Sequence, residues 1–207
     1  MAGTAAASSG LALYRTYAGA LCVYVLYDCN VLEQEITSMD PSEYGGLDPN
    51  NYIYGYMEVK PHKGECWNAA EVKCSAARKG YGPLLYEIAM SDFGTLMSDH
   101  GAGSSMSARQ VWKKYEQRSD VQKKAFDDVK EPKTPPKEDD CKLIPDFEGE
   151  NQYLNNAYSG AGDDSGKLAL LQAHQNFIKK FQQHKSDLES AIMGGGDEYF
   201  GQRYREN

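Results

Sequence analysis

A glycine-punctuated turn is the segment of this chain best suited to chemistry. It lies between a predicted strand over residues 67–75 and a predicted helix over residues 83–91, and it consists of Arg78, Lys79, Gly80, Tyr81 and Gly82. The first N–H groups of a helix lack partners within the helix, and the helix dipole is positive there, so such a turn binds anions, most often phosphate. Gly80 and Gly82 have no Cβ atom that would keep a ligand away from the backbone. The turn is therefore a candidate phosphate site.

Strands and helices on both sides of this turn must position it. Alternating and β-rich runs predict four further strands, over residues 11–17, 20–28, 52–60 and 95–99. Residues 61–65 read as a hairpin turn, and residues 40–51 as a loop. Gly94 fits the C-terminal cap of the first helix, and Ser107 the N-cap of a second helix over residues 107–118. This order predicts a mixed α/β fold with a mainly antiparallel sheet.

The last third of the chain has a different composition. Residues 119–162 are charged and contain several prolines, which predicts a linker or an extended segment. A long helix over residues 166–193 is then expected, capped at 163–165 and ended by three glycines at 194–196. Its apolar stripe consists of Leu171, His174, Ile178, Phe181, Leu188 and Ile192. We therefore divide the chain into a tail at 1–10, a domain at 11–118, a linker at 119–162 and a helical extension at 163–207.

Charge and hydropathy narrow the classes of function. The chain has 30 acidic and 22 basic residues, a formal net charge of −8. Nucleic-acid backbones are bound by basic surfaces, so no nucleic-acid partner is expected. The apolar run at residues 18–27 is too short to span a bilayer, and residues 1–10 do not resemble a signal peptide. The sequence predicts a soluble, cytoplasmic protein.

Cysteine and histidine spacing predicts neither a cross-link nor a metal centre. The five cysteines, at positions 22, 29, 66, 74 and 141, are odd in number and include no C-x-x-C pair. We interpret them as reduced thiols. The four histidines are scattered without metal-ligand spacing. His174 lies on the apolar stripe and is expected to pack, whereas His100 follows a strand end and is a candidate for the substrate side.

The turn and its surroundings resemble motif A of the GNAT superfamily of N-acetyltransferases. That family carries [QR]-x-x-G-x-[GA] between a strand and a helix, and this chain carries Ala77-Arg78-Lys79-Gly80-Tyr81-Gly82 followed by Pro83-Leu84-Leu85. A predicted hairpin precedes the motif, and a strand and a helix follow it, so the resemblance covers about residues 10–118. The K-G-Y-G-P-L-L-Y core is also similar to GNAT-like proteins encoded by bacteriophages, for which the location would be the host cytoplasm or the virion.

The resemblance implies acetyl-coenzyme A as the cofactor. Backbone N–H groups from Arg78 to Gly82 would hold the pyrophosphate, and the side chains of Arg78 and Lys79 would add positive charge. The pantetheine arm would pair with the open edge of the preceding strand. That edge includes Val72, Cys74 and Ser75.

The resemblance also implies attack of an amine on a thioester. The reaction needs a base for the amine and an acid for the leaving thiolate. Glu71 occupies the position of the base in histone-type members, and Glu58 on the neighbouring strand is the second candidate. The tyrosine that usually acts as the acid is replaced by Trp112, which has no hydroxyl. Tyr115, three residues further along and close to the same helix face, is the candidate acid in its place. Ala77 also replaces the first residue of the family motif.

Three functions therefore remain open. The first is acetyl transfer from acetyl-coenzyme A to an unidentified small-molecule or protein amine. The second is a GNAT-like protein without catalysis that serves as a structural or interaction protein, either in a phage virion or as a phage-encoded accessory component. It would form a homo-oligomer or a protein assembly through the residues after 118. The third is a generic module that binds a phosphate ligand. The departures at Ala77 and Trp112 favour the second function, whereas the helix after residue 106 favours the first over the third.

Overall fold

A computed structural model describes residues 10–101, 103–130, 135–143 and 149–205. The chain opens with two antiparallel strands, β1 (Leu11–Ala18) and β2 (Leu21–Asp28), as predicted; their turn is at Gly19-Ala20, one residue after the predicted Ala18-Gly19. Of the predicted tail, only Gly10 lies among the described residues. β2 is buried along most of its length, so it forms the centre of this part of the sheet.

Short helical segments connect β2 to the next strand. Helix α1 (Cys29–Thr37) begins where the Asp28 side chain accepts hydrogen bonds from two backbone N–H groups. The loop predicted at 40–51 instead contains a 3-10 helix at Pro41–Gly46 and the short helix α2 (Pro49–Tyr52). Both begin with an aspartate cap followed by proline, which is a helix-start signal that the turn-like composition concealed.

A long antiparallel pair carries the predicted hairpin. Strand β3 (Ile53–Pro61) pairs with β4 (Ala70–Ala77), and a 3-10 turn at Cys66–Asn68 precedes β4, so β4 begins three residues later than predicted. The register shifts at a β-bulge, where Glu58 pairs with Cys74 and Val59 with Val72. Lys73 therefore has no partner residue in the β3 register.

The predicted helix–strand–helix succession follows β4. Helix α3 (Gly82–Phe93) ends at Gly94, whose N–H donates to the carbonyl of Met90, as the sequence predicts. Strand β5 (Thr95–Met97) leads to helix α4 (Met106–Gln117). The N-cap of α4 is Ser105, whose Oγ accepts from the N–H of Ala108 at 3.3 Å, and the prediction of Ser107 as the cap is wrong. Ser107 already lies in the first helical turn.

The region predicted as a linker contributes to the sheet. Strand β6 (Gln122–Ala125) pairs with β9 (Asn156–Ser159), and β9 also pairs with β5. The two-residue strands β7 (Asp127–Asp128) and β8 (Asp140–Cys141) pair with each other. The residues predicted as a linker or an extended segment thus contain four short strands. The sequence does not reveal β6, because every residue of β6 is exposed and the strand lacks the apolar alternation on which a strand prediction depends.

A disulfide joins this region to the turn before β4. It links Cys66 with Cys141, 75 residues apart in the sequence, and both residues are buried. The prediction of five reduced thiols is therefore wrong for these two cysteines. Sequence spacing does not reveal the pair, because the fold alone brings them together. Cys22, Cys29 and Cys74 are free thiols.

The single long helix that was predicted is two helices. Helix α5 (Asp164–Lys180) is capped by Asp163, and a 3-10 turn separates it from α6 (Lys185–Arg205). The three glycines do not end α6, and that prediction is wrong. A Cβ atom at Gly196 would lie 2.5 Å from Cδ2 of Tyr56, so the glycine lets the helix backbone approach the sheet.

The strands of the large sheet follow the order β1-β2-β3-β4-β5-β9-β6, and only β4 and β5 are parallel. One face packs against α3, α4 and residues of α5. The other face packs against α1, α2, α6 and the remaining apolar residues of α5. The predicted fold class, a mixed and mainly antiparallel sheet flanked by helices with a long C-terminal helix, is confirmed.

Candidate functional site

A cleft opens where β4 and β5 separate. The two strands pair only through Ala70 with Leu96 and Glu71 with Met97. From Val72 to Ala77, the edge of β4 that faces away from β3 has no strand partner among the described residues. The cleft beside this edge has a volume of about 580 Å³, and the first residues of α3 and α4, Gly82 and Met106, also line it. Two helix N-termini thus border one open strand edge.

The glycine turn forms one end of this cleft. Helix α3 begins at Gly82 with Pro83 next, and no side chain caps its first N–H groups. Gly80 has a φ of +96°, a backbone conformation that residues other than glycine rarely adopt. A Cβ atom at this position would have no described atom within 4 Å. Within the turn, the N–H groups of Arg78 and Tyr81 already donate to the carbonyls of Tyr54 and Arg78, and Gly82 is the residue of the turn that lines the cleft. The donors left for an anion at the cleft are therefore those at the uncapped start of α3.

The basic side chains of the turn have different surroundings. The guanidinium of Arg78 donates to the backbone carbonyl of Asn50 and lies 4.3 Å from the centre of the Tyr54 ring. Tyr81 packs edge-on against the same ring at 4.9 Å. Lys79 is exposed. Arg78 thus anchors the turn to α2, and Lys79 is the cation that a ligand at the turn can reach.

The β-bulge in β4 decides which side chains face the cleft. Val72 belongs to the core on the α3 face, whereas Cys74 packs on the opposite face. Without the bulge these two residues would share a face, because side chains alternate along a strand. Ser75 consequently points toward α3, where its Oγ lies 3.0 Å from the hydroxyl of Tyr86. Ser75 and Tyr86 both line the cleft.

Glu71 lies at the point where β4 and β5 separate, and it is enclosed by donors. Its Oε1 accepts from the N–H of His100 at 2.7 Å and lies 3.4 Å from Nζ of Lys73, and its Oε2 lies 3.2 Å from Nε2 of His62. Burial alone would raise the pKa of Glu71, but the hydrogen bonds from His62 and His100 and the charge of Lys73 outweigh it and lower the pKa to about 2. Such a carboxylate is a weak base at neutral pH.

Lys73 and Asp99 bring this polar group to the cleft wall. Nζ of Lys73 donates to Asp99 at 2.7 Å, and both residues line the cleft, whereas Glu71 is not among the lining residues. Burial lowers the pKa of Lys73, but the hydrogen bond to Asp99 and the charge of Glu71 raise it by more. Sequence reasoning missed both residues, and their spacing carries no signal that would have identified them.

Glu58, the second predicted base, lies on the face of the sheet that α6 covers. Its Oε1 accepts from the hydroxyl of Tyr56 at 2.8 Å, and the same hydroxyl lies 2.7 Å from Oδ1 of Asp197 on α6. Neither Glu58 nor Asp197 lines the cleft. The structure therefore places the two predicted bases apart, one at the end of the cleft and one beneath α6.

Tyr115, the predicted acid, is a buried member of an aromatic cluster. Its ring packs near those of Tyr86, Trp112 and Tyr158, with centroids 6.1 to 6.3 Å apart. Among the described residues its hydroxyl has no hydrogen-bond partner, and Tyr115 does not line the cleft. Trp112 does line it, at the position where the resemblance places the acid. Tyr86 on α3 instead places a buried hydroxyl directly behind Ser75 in the cleft wall, and sequence reasoning missed it.

His174 and His100 are buried and make hydrogen-bond contacts within the fold. His174 is buried as predicted, with Nδ1 at 2.9 Å from the hydroxyl of Tyr27, and burial lowers its pKa to about 4. His100 is also buried, and its two ring nitrogens lie near the carbonyls of Lys142 and Leu154. His100 thus connects Glu71 to the segment that carries Cys141. A substrate-side role for His100 stays a prediction.

No family model, curated protein or solved structure matches this chain. Across the residues that the structure describes, no group of three or more His, Cys, Asp or Glu side chains is arranged to hold a metal ion. Within the same residues, none of the helices combines the length and the apolar character that crossing a membrane requires.

Proposed function

We propose that the chain is an N-acyltransferase of the GNAT type, which binds acetyl-coenzyme A in the cleft between β4 and β5 and transfers the acetyl group to an amine. The observation that carries this proposal is the unpaired edge of β4 from Val72 to Ala77, which runs into an uncapped helix N-terminus at Gly82. The strand edge suits the amides of pantetheine, and the turn suits a pyrophosphate. A volume of about 580 Å³ is typical of a cofactor cleft.

Titration calorimetry with acetyl-coenzyme A tests the binding step. Gly82→Val places a side chain over the turn, and a Cβ at this position meets no described atom within 4 Å, so the fold should persist. Gly45→Val is the matched control, because Gly45 is equally uncrowded and lies far from the cleft in sequence. We expect binding by the wild type and by Gly45→Val, and at least tenfold weaker binding by Gly82→Val. A wild type that does not bind at millimolar ligand would refute the proposal.

A second candidate is a cofactor-binding protein that has lost catalysis and serves in an assembly. The observation that favours it is the position of Glu58, Glu71 and Tyr115, none of which lines the cleft. The low pKa of Glu71 also makes it a poor base.

Thiol release separates the two candidates once binding is established. Acetyl-coenzyme A is incubated with a panel of amines of different charge, and free coenzyme A is measured over time. Release that depends on both protein and amine supports the acyltransferase. Tight binding without release, together with cross-linking to co-purified proteins through the residues after 118, supports the assembly protein.

A further inference from the structure

The hydroxyl groups of Ser75 and Tyr86 form a polar pair in the cleft wall. The role predicted for Ser75 concerns the backbone edge of β4 and leaves its hydroxyl without a function. Ser75 lies on the open edge of β4 and is half-buried, whereas Tyr86 lies behind it on α3 and is fully buried. Their oxygens are 3.0 Å apart, and either can donate to the other. When Tyr86 donates to Ser75, the hydroxyl hydrogen of Ser75 is free to donate into the cleft, which Ser75 lines.

The surroundings of Tyr86 favour this direction of donation. The ring of Tyr86 packs edge-on against Trp112 with centroids 5.2 Å apart, which fixes its position. The buried hydroxyl of Tyr86 has Ser75 Oγ as its hydrogen-bond partner among the described residues, so its hydrogen is directed at Ser75. Burial raises the pKa of Tyr86 to about 12, so that hydrogen is present at neutral pH. A donor fixed behind a serine polarises the serine hydroxyl, because chains of hydrogen bonds reinforce one another.

We propose that Ser75, positioned by Tyr86, is the proton donor to the leaving sulfur, in the place that the resemblance assigns to a tyrosine of the next helix. This inference rests on the proposed acyltransferase function. The amine nitrogen bonds to the thioester carbon, the carbon–sulfur bond breaks, and its electron pair stays on sulfur. The sulfur takes the proton of Ser75, and Ser75 takes that of Tyr86. The proton released by the amine enters from the cleft at Ser75, and the same hydrogen bond passes a proton back to the buried Tyr86.

Leaving-group dependence provides the test. We compare the wild type, Ser75→Ala, Tyr86→Phe and the double variant, with acetyl-coenzyme A and with the acetyl thioester of an acidic aryl thiol, whose thiolate needs no proton to leave. With acetyl-coenzyme A we expect kcat to fall about 100-fold in Ser75→Ala and less in Tyr86→Phe, at unchanged KM. With the aryl thioester we expect losses below threefold. The double variant should lose no more than Ser75→Ala, and Ser75→Thr should recover part of the rate.

The controls distinguish the possible failures. Tyr17→Phe, an exposed tyrosine on β1, should leave all rates unchanged. Equal losses with both donors would assign Ser75 and Tyr86 a structural role and overturn the inference. A large loss in Tyr115→Phe with a normal rate in Ser75→Ala would also overturn it, while leaving the acyltransferase intact. If the wild type neither binds acetyl-coenzyme A nor releases thiol, the proposed function fails and this inference fails with it.

Discussion

Two regions beside β4 are stabilised by different kinds of contact. Where β4 and β5 separate, hydrogen bonds and ion pairs link Glu71, Lys73, Asp99 and His100, and a disulfide lies next to them. On the face of the sheet that α5 and α6 cover, the packed face, aliphatic and aromatic side chains make the contacts. The face toward α3 and α4 is also covered by apolar side chains. Directional polar contacts thus mark the point where the strands separate, and apolar packing stabilises both faces of the rest of the sheet.

The largest effect is expected from removing the disulfide on the cleft side. The double variant Cys66→Ser/Cys141→Ser should lose about 4 kcal/mol of unfolding free energy, because the disulfide closes a loop of 75 residues. Urea denaturation of the oxidised wild type and the variant measures the difference. Cys29→Ser is the control and should change stability by less than about 0.5 kcal/mol, since the serine can keep the hydrogen bond to Gly10. Equal stability of all three proteins would contradict the cross-link.

A comparable loss is expected from a cavity on the packed face. Ile192 on α6 is fully buried, so Ile192→Ala should lower the free energy of unfolding by about 3 kcal/mol. Leu168→Ala changes a residue of α5 that is 62% exposed and should have almost no effect. Both are measured by urea denaturation. If the folded Ile192→Ala protein bound acetyl-coenzyme A differently from the wild type, the cleft and the packed face would not be independent of each other.

The contributions of the two regions to the free energy of unfolding should also depend on different ranges of pH. On the packed face, burial lowers the pKa of His174 from 6.5 to about 4, so the unfolded chain takes up the proton first. Stability should therefore fall by about 3 kcal/mol as the pH drops from 6.5 to 4. His174→Gln should abolish this part of the decline, as urea titrations at pH 7, 5.5 and 4.5 would show.

The contribution of the Glu71 carboxylate to stability should change at lower pH. The folded pKa of Glu71 is lowered from 4.5 to about 2, so its contribution is present above pH 4.5 and is lost as the pH falls toward 2. Glu71→Gln should remove this decline and leave the one between pH 6.5 and 4 unchanged. A single shared transition in both variants would contradict the assignment of the two ranges.

The smallest effects distinguish two glycines on the same helix. Gly196→Ala should destabilise by about 2 kcal/mol, because the new Cβ would meet the Tyr56 ring at 2.5 Å. Gly194→Ala meets no described atom within 4 Å and should stabilise by about 0.5 to 1 kcal/mol, since alanine favours the helix. Thermal melting of the two variants gives opposite shifts if α6 contacts the sheet as described. Equal shifts would show that it does not.

Local signals explain which elements were predictable. The strand pair at the N-terminus, β3, α3 and its end at Gly94 carry alternation, helix propensity or a cap that neighbouring residues supply. Strand β6 and the Cys66–Cys141 pair have no such signal, because their partners lie far away in the sequence. The three glycines of α6 gave a misleading signal, because the helix continues through them. Gly196 allows close packing against Tyr56, and Gly195 allows close packing against Tyr52.

The part of the candidate site that one continuous stretch of sequence forms could be predicted. The turn at Arg78 to Gly82 was identified from its own residues, and it does border the cleft at Gly82. The side chains facing the cleft were not, because the bulge at Lys73 changes the alternation along β4 and no sequence pattern marks it. Ser75 and Tyr86 meet only after that change.

The exposed edge strand has a consequence for self-association. β6 is the last strand of the sheet, and all four of its residues, including Lys123 and Lys124, are exposed. An unpaired strand edge is a template onto which another chain can add, and closely spaced lysines oppose such addition through charge repulsion. The segment that looked like a linker thus protects the sheet from aggregation, and neutralising the two lysines should make concentrated solutions of the protein more prone to it.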